Sequence, residues 1–371
     1  MSSVSVRKVV CLLVGTMFVL SIGVGVPVAA RYKEAPSLAE LVRAGKLPPV
    51  DQRLPREPFV VGPGVLITEE DLPDWTVGVY GGTLRTAHSV ANWAPDVFVM
   101  MNEPLLSAPG IGVEGIRGNI VKDFKVSSDN RVYTFYMREG LKWSDGKPVT
   151  TEDVLFAYED VMLNTTLTPI FPAKYRSGGR ITGNPMKLEV LDEYTFRITF
   201  DEPYGGFLRQ LAIEKWTGYT DILKPKHYLK QFHPRYVPEA ELKALAQQQG
   251  FEEWHQLFTN KDCLNWHFTQ PRCAGFPKLT PWLIVESPPG VLVFERNPYY
   301  FKVDIEGNQL PYIDRIRSVQ VQDVEMVNLK VLTGEVDFLR ESTALVKVPL
   351  YMEAAEKAGF RVVLLDMHVD S

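Results

Sequence analysis

The stretch from residue 131 to residue 164 dictates a strand, a tight turn and a capped helix in immediate succession. Its first part alternates large apolar residues with polar ones, which places one set on a single face of a strand: Tyr133, Phe135 and Met137. The turn at 144–147 contains Asp145-Gly146, and glycine accepts the positive φ that tight turns require. Thr150 followed by Asp153 resembles a capping box and opens a helix to about Asn164.

The rest of the chain mixes strands and helices without a strict strand–helix–strand rhythm. Tyr194–Phe200 is the clearest further strand, because its aromatic and aliphatic residues alternate with threonine and arginine. Additional strands are predicted after Gly81-Gly82, at 291–296 and at 361–366. Helices are predicted at 238–249, 251–258, 323–332 and 350–358, three of them followed by glycine. This mixture predicts an α/β fold with mixed β-sheets flanked by helices.

Composition and charge exclude several classes of protein. The chain has 371 residues, enough for two domains, and its 45% apolar and 23% charged residues are typical of a globular protein. Its net charge is −5 and no basic stripe is present, so we expect no nucleic-acid partner. Past residue 30 no apolar run is long enough to cross a bilayer.

Residues 1–30 have the order of a secretory signal peptide. Arg7-Lys8 precedes an apolar run from Val9 to about Val26, and small residues end the segment at 27–30. The alternative is a retained membrane-spanning helix, which the glycines of the run and Pro27 disfavour. The proline-rich residues 31–75 predict an extended N-terminal segment with one short helix near 38–44.

Beyond this leader two cysteines remain, Cys263 and Cys273. An even pair in an exported chain favours a disulfide that closes a small loop. A metal site with His267 is the alternative, but the spacing matches no standard zinc pattern, and we expect no metal and no cofactor.

The run from Tyr133 to Val154 strongly resembles a signature of one transport family. It reads YTFYMREGLKWSDGKPVTTEDV and is similar to the peptide/nickel/opine solute-binding proteins, family 5 of the extracytoplasmic components of ABC importers. Shorter blocks follow in the family's order: GGTLR at 81–85, NEPL at 102–105, FERNPYY at 294–300, LPYIDRI at 310–316 and TGEVDF at 333–338. The resemblance therefore covers roughly residues 78–366.

The resemblance implies a periplasmic-binding-protein-like fold of type II, the large two-lobe class with an extra subdomain. Residues 76–103 and 202–340 would form the first lobe, and 104–201 the extra subdomain. The second lobe would begin at 341–371 and be largely missing, so the chain is expected to be truncated and to expose an apolar face where that lobe would pack.

The resemblance also suggests where a ligand would lie. Loops that follow predicted strands line the family's cleft, and three of them carry tryptophans: Trp93, Trp216 and Trp282. Polar neighbours that would orient a ligand are Asn92, Thr217 and Thr280. Ordinary core packing is the alternative role for each. The Asn-Gly-Pro-Tyr-like turn of many peptide-binding members is replaced here at 279–282, which leaves sugar ligands open.

These features predict capture without chemistry. We expect an oligopeptide ligand, with an oligosaccharide as the alternative, delivered by a monomeric, exported protein to the permease subunits of an ABC importer. A secreted hydrolase of peptides or glycans is the rival from another class, but the sequence contains no His-Glu-x-x-His, Gly-x-Ser-x-Gly or phosphate-loop motif for a catalytic site.

Overall fold

The computed structural model describes residues 31–63, 75–108, 115–213 and 218–364. The expected signal peptide at 1–30 lies outside these residues. The described residues from Arg31 onward form one compact unit. None of the helices in this part of the chain combines the length and the apolar character needed to span a membrane.

The helices and strands are short and intermixed. The α-helices of the described residues are α1 (Pro36–Arg43), α2 (Val50–Arg53), α3 (Pro95–Met101), α4 (Thr151–Phe156), α5 (Phe207–Ile213), α6 (Lys226–Leu229), α7 (Glu239–Gln248), α8 (Trp254–Lys261), α9 (Val324–Leu332) and α10 (Val348–Ala358). The strands are β1 (Phe59–Val61), β2 (Thr83–His88), β3 (Leu106–Ser107), β4 (Arg117–Gly118), β5 (Val121–Val126), β6 (Val132–Met137), β7 (Lys187–Asp192), β8 (Thr195–Thr199), β9 (Trp282–Glu286), β10 (Val291–Arg296), β11 (Lys302–Asp304) and β12 (Arg315–Gln320).

Two four-stranded sheets organise the fold. The first has the order β2-β12-β10-β9, with β2 parallel to β12 and the other pairs antiparallel; we call it the mixed sheet. The second has the order β5-β6-β8-β7 and is antiparallel throughout. The pairs β1-β11 and β3-β4 stand apart. The predicted α/β class with mixed sheets and flanking helices is confirmed.

The antiparallel sheet follows directly from the alternation in its sequence. Phe135 and Phe196 are register partners on β6 and β8, and their rings stack with centroids 5.1 Å apart. Phe207 of α5 packs edge-on against Phe135, with centroids 6.4 Å apart. All three side chains are fully buried, so the apolar face that the pattern predicts is the core face of this sheet.

The predicted capping box at the start of α4 is present. The Thr150 side chain accepts a hydrogen bond from the Glu152 backbone N–H at 3.3 Å, and the Thr150 backbone N–H donates to Asp153 at 3.2 Å. Asp153 also accepts from the Trp143 indole at 3.1 Å and from the Lys226 backbone N–H at 2.9 Å. This carboxylate therefore joins the signature turn, α4 and α6.

The described part of the N-terminal segment contains the short helix predicted near 38–44, as α1, and is otherwise more structured than the extended chain that its prolines predict. It forms α1, α2 and β1, and β1 pairs in parallel with β11. Arg53 is fully buried, and its contacts tie this segment to the rest of the protein. Its guanidinium pairs with Glu34, donates to the Pro298 carbonyl, and donates to the Gln309 side-chain oxygen at 3.0 Å.

A buried ionic network ties β11 to the region before β3. The Lys302 ammonium lies 2.9 Å from the Glu103 carboxylate, and both side chains are almost entirely buried. Glu103 also accepts from the Asn119 amide at 2.9 Å and from the Tyr300 hydroxyl. Lys302, Asn119 and Tyr300 all donate to this carboxylate, which compensates the burial of its charge.

The C-terminal part lacks a strand at 361–364, where one is predicted, but it exposes apolar side chains. Residues 361–364 form no strand, and the remainder of the predicted strand at 361–366 lies outside the described residues. The described residues expose apolar side chains on α9, on α10 and between them, as expected for an exposed apolar face: Leu329, Leu345, Val346, Leu350 and Met352. One hydrophobic core cluster contains residues of both four-stranded sheets, although the predicted boundaries assign these sheets to the first lobe and to the extra subdomain.

Candidate functional site

One edge of the mixed sheet gathers one end of each of its four strands, including Glu286 at the end of β9. Since β2 and β12 are parallel, both finish at this edge, at His88 and Gln320, which are register partners. The antiparallel β10 starts there at Val291, opposite Val319. We call this edge the His88 end. Loops that leave it at 89–94, 287–290 and 321–323 are the segments available to touch a ligand.

His88 is a neutral hydrogen-bonding group at the end of β2, one of the two outer strands of the mixed sheet. Its imidazole is buried, and Nδ1 lies 2.7 Å from the Ser318 hydroxyl, which is also buried. Burial disfavours the charged form and lowers the pKa of His88 to about 4. At neutral pH the His88 end therefore presents hydrogen-bonding capacity without positive charge from this residue.

The cavity beside His88 is small, and none of the described residues that line it is charged. A cavity of about 60 Å³ opens beside His88, Asn92, Gly290 and Gln320. Small-molecule pockets measure roughly 300–1,000 Å³, so this cavity is too small for a whole solute. Among the exposed side chains that line it, Asn92 and Gln320 are amides and Ser287 carries a hydroxyl. The His88 end is one wall of a site and does not enclose a ligand by itself.

Two tryptophans stand next to the His88 end. Trp93 follows β2 and is half-buried, and its indole N–H donates to the carbonyl of Trp266 at 2.9 Å. Trp266 leaves 37% of its surface exposed, and its ring centroid lies 3.6 Å from that of His267. Aromatic rings that are held by their polar groups and left partly open are suited to covering the face of a polar ligand.

The Trp93 loop is anchored at its downstream side. The Ala94 backbone N–H donates to the Thr269 hydroxyl at 3.3 Å. Asp96, at the start of α3, is buried and accepts from the backbone N–H groups of Arg340 and Glu341, the latter at 2.8 Å. Burial raises the pKa of Asp96, and these hydrogen bonds oppose the rise. The loop that carries Asn92 and Trp93 is thereby fixed to the chain segment after residue 339.

The structure separates the residues that the sequence analysis grouped. Asn92 and Trp93 lie at the His88 end, but Trp282 starts β9 opposite Arg296, at the other end of the mixed sheet. Thr280 is fully buried and donates to the Trp282 carbonyl at 2.9 Å, while the Trp282 indole donates to Ile313 at 3.1 Å. Both side chains are buried, and they lie at the end of the mixed sheet away from His88. Trp216 and Thr217 lie outside the described residues.

Sequence reasoning missed Trp266. It lies 173 residues from Trp93 along the chain, in a segment with no strand or helix periodicity. The signal that marks its loop is the cysteine pair. Cys263 and Cys273 form a disulfide with a Cα–Cα distance of 6.0 Å, as the even count favoured. In the described part of the chain no group of three or more His, Cys, Asp or Glu side chains is arranged to hold a metal.

Comparison with protein-family models matches residues 115–369 to the bacterial extracellular solute-binding proteins, family 5 middle. The periplasmic alpha-galactoside-binding protein of Rhizobium meliloti is 32% identical over 303 residues, which are 77% of this chain and 38% of that protein. The periplasmic oligopeptide-binding protein OppA of Salmonella typhimurium is 27% identical over 61% of this chain and 35% of its own. This chain thus spans less than half the length of these relatives.

Solved structures show the same similarity. An oligopeptide-binding protein OppA matches with a TM-score of 0.75 and 34% identity, over 90% of this chain and 49% of that one. The periplasmic binding protein MelB of Agrobacterium fabrum, solved in complex with stachyose, matches with a TM-score of 0.64 and 25% identity, over 87% of this chain and 46% of its own.

Proposed function

Because this chain belongs to the bacterial extracellular solute-binding proteins of family 5, we propose that it captures a small polar solute outside the cytoplasm for an ABC importer. The observation that carries the proposal is the His88 end, where Trp93, Trp266 and uncharged amides form one open wall on a rigid sheet. The relatives are named as periplasmic binding proteins, which supports export of a chain whose first residues read as a signal peptide.

The proposed mechanism is closure around the solute. The His88 end supplies one wall, and a facing lobe supplies the other when the protein closes about a hinge. A ligand that touches both walls only in the closed form shifts the open–closed equilibrium toward it. The closed, monomeric protein then docks on the permease subunits. The role proposed for this chain is binding without a chemical change, as the family description and the names of the relatives imply.

Two ligand classes are supported by different observations. The oligopeptide that the sequence analysis expects agrees with the names of two relatives. The cavity lining favours an oligosaccharide, because His88 is neutral and no residue that the structure describes around the cavity is charged. A free peptide carries charged termini, which need opposite charges when they are desolvated, whereas a neutral sugar needs hydrogen bonds and an apolar ring face.

A wall with aromatic rings and no charged lining should bind neutral sugars more tightly than peptides. We expect raffinose and stachyose to raise the melting temperature of the purified protein when it carries the facing lobe as well as the His88 end, with tri- and tetra-alanine as the peptide probes. Replacing Trp93 with alanine should weaken binding of the active solute roughly tenfold or more, because a ligand-covering ring is lost. Isothermal titration calorimetry measures both affinities.

Trp282→Phe is the matched control for this experiment. It removes an indole N–H that donates to Ile313 at the far end of the sheet, so it should lower stability and leave the affinity unchanged. Equal loss of affinity in both variants would exclude the His88 end as the binding wall. Stabilisation by peptides alone would overturn the sugar assignment, and hydrolysis of either solute would revive the secreted hydrolase.

A further inference from the structure

We propose that the loop at 263–273, which is closed by the disulfide, positions Trp266 and Trp93 in the solute-binding wall. The inference rests on the proposed function, because it treats these tryptophans as the ligand surface. The disulfide itself touches no ligand: Cys263 and Cys273 are buried, with 1% and 0% of their surfaces exposed. Its effect on binding would therefore be indirect.

The loop reaches the wall through three hydrogen bonds from three of its residues. The Trp266 carbonyl accepts from the Trp93 indole at 2.9 Å, and the Thr269 hydroxyl accepts from the Ala94 backbone N–H at 3.3 Å. The Asn265 amide donates to the side-chain oxygen of Asn102 at 2.6 Å. Ala94 precedes α3 and Asn102 follows it, so the loop forms hydrogen bonds at both ends of this helix.

The base of the loop is fixed to the rest of the protein. Lys278 donates to the Cys273 carbonyl at 2.5 Å, and its ammonium lies 5.6 Å from the Phe268 ring centroid. Arg272 donates to the Asn260 carbonyl at 2.6 Å, at the end of α8. Phe268 is fully buried, whereas Trp266 two residues earlier is open. The loop is therefore anchored in the core at Phe268 and exposed at Trp266.

The cross-link is needed because the loop has little regular structure of its own. Between the cysteines it contains only the short 3-10 turns Asn265–His267 and Pro271–Cys273. Such a segment samples many conformations unless its ends are tied together. A binding wall that is already ordered loses less conformational entropy when a solute docks, so fixing the loop raises affinity without adding a contact.

A double-mutant cycle tests the coupling between the disulfide and Trp93. The variants are C263A/C273A, in which alanine leaves no unsatisfied buried hydroxyl, W93F, which removes the indole N–H and keeps a ring, and their combination. We expect C263A/C273A to weaken binding of the stabilising solute roughly tenfold in the wild-type background and less than roughly threefold in the W93F background. Additive losses would contradict the proposal.

A second readout separates this inference from the proposed function. The exchange rate of the Trp93 indole proton, followed by NMR in the absence of any solute, reports directly on its hydrogen bond to Trp266. We expect faster exchange in C263A/C273A than in the wild type, and unchanged exchange would overturn the proposal. If the wild type binds none of the solutes, the proposed function fails while this measurement still decides the positioning role.

T269V keeps the test decisive if the cysteine variant folds poorly. Valine matches the shape of threonine and removes the acceptor of the Ala94 N–H, so only the second tie between loop and wall is lost. We expect faster exchange of the Trp93 indole proton in T269V, with the disulfide intact. Unchanged exchange in this variant would contradict a loop that positions the wall.

Discussion

Replacing Glu103 with glutamine should lower the free energy of unfolding by about 3–5 kcal/mol, the cost typical of removing one partner from a buried ion pair. Glutamine keeps the shape of glutamate but not its charge. The Lys302 ammonium, 2.9 Å away and nearly excluded from water, would then be buried without a counter-ion. The Asn119 amide and the Tyr300 hydroxyl would donate to a weaker acceptor.

Urea denaturation of E103Q and of the wild type measures this loss. E295Q is the matched control, because Glu295 pairs with Arg315 where both side chains are about half exposed. Exposed pairs contribute about 0–1 kcal/mol, so E295Q should be close to wild type. A change in E103Q no larger than that in E295Q would show that the buried network contributes little.

Replacing Lys278 with methionine should raise stability near pH 6 and remove a pH dependence that the wild type shows above neutrality. Among the residues that the structure describes, no carboxylate pairs with the buried Lys278, and burial lowers the pKa of Lys278 to about 7. The unfolded chain, with a pKa near 10.5, binds more protons between these values. Stability from this group is therefore complete above about pH 10.5 and is lost as the pH falls through about 7.

The difference between wild type and K278M isolates this effect from other titrating groups. We expect wild-type stability to gain on the order of 2–4 kcal/mol relative to K278M between pH 6 and pH 9.5. Chemical denaturation at intervals across this range provides the values. K243M is the control, since Lys243 is about half exposed in its pair with Glu253. A constant difference for K278M would mean that its ammonium is not desolvated.

Local pattern was enough to predict the elements whose geometry is decided within a few residues. The alternation of Tyr133, Phe135 and Met137 identified β6, and Thr150 with Asp153 identified the start of α4. Both depend on the backbone period or on a cap, which act over short distances. The predicted strand at 291–296 has the same bounds as β10.

The sequence does not reveal which residues come together when they lie far apart along the chain. Nothing local to Trp282 reveals that its indole N–H is consumed by Ile313, or that β9 starts at the end of the sheet away from His88. Likewise, only the folded chain shows that Trp266 lies beside Trp93. The predicted strand near residue 361 shows the same limit, because an apolar run becomes a strand only when a neighbouring strand pairs with it.

The pairing of β2 with β12 imposes an order on how the molecule assembles. Thr83 meets Arg315 and His88 meets Gln320, so the first strand of the mixed sheet waits for a partner that lies 232 residues further along the chain. The antiparallel sheet at 121–199 needs no such wait, since all its strands lie close together in sequence. The sheet that has no role in the proposed wall therefore closes shorter loops than the sheet that leads into Trp93, and shorter loops form faster.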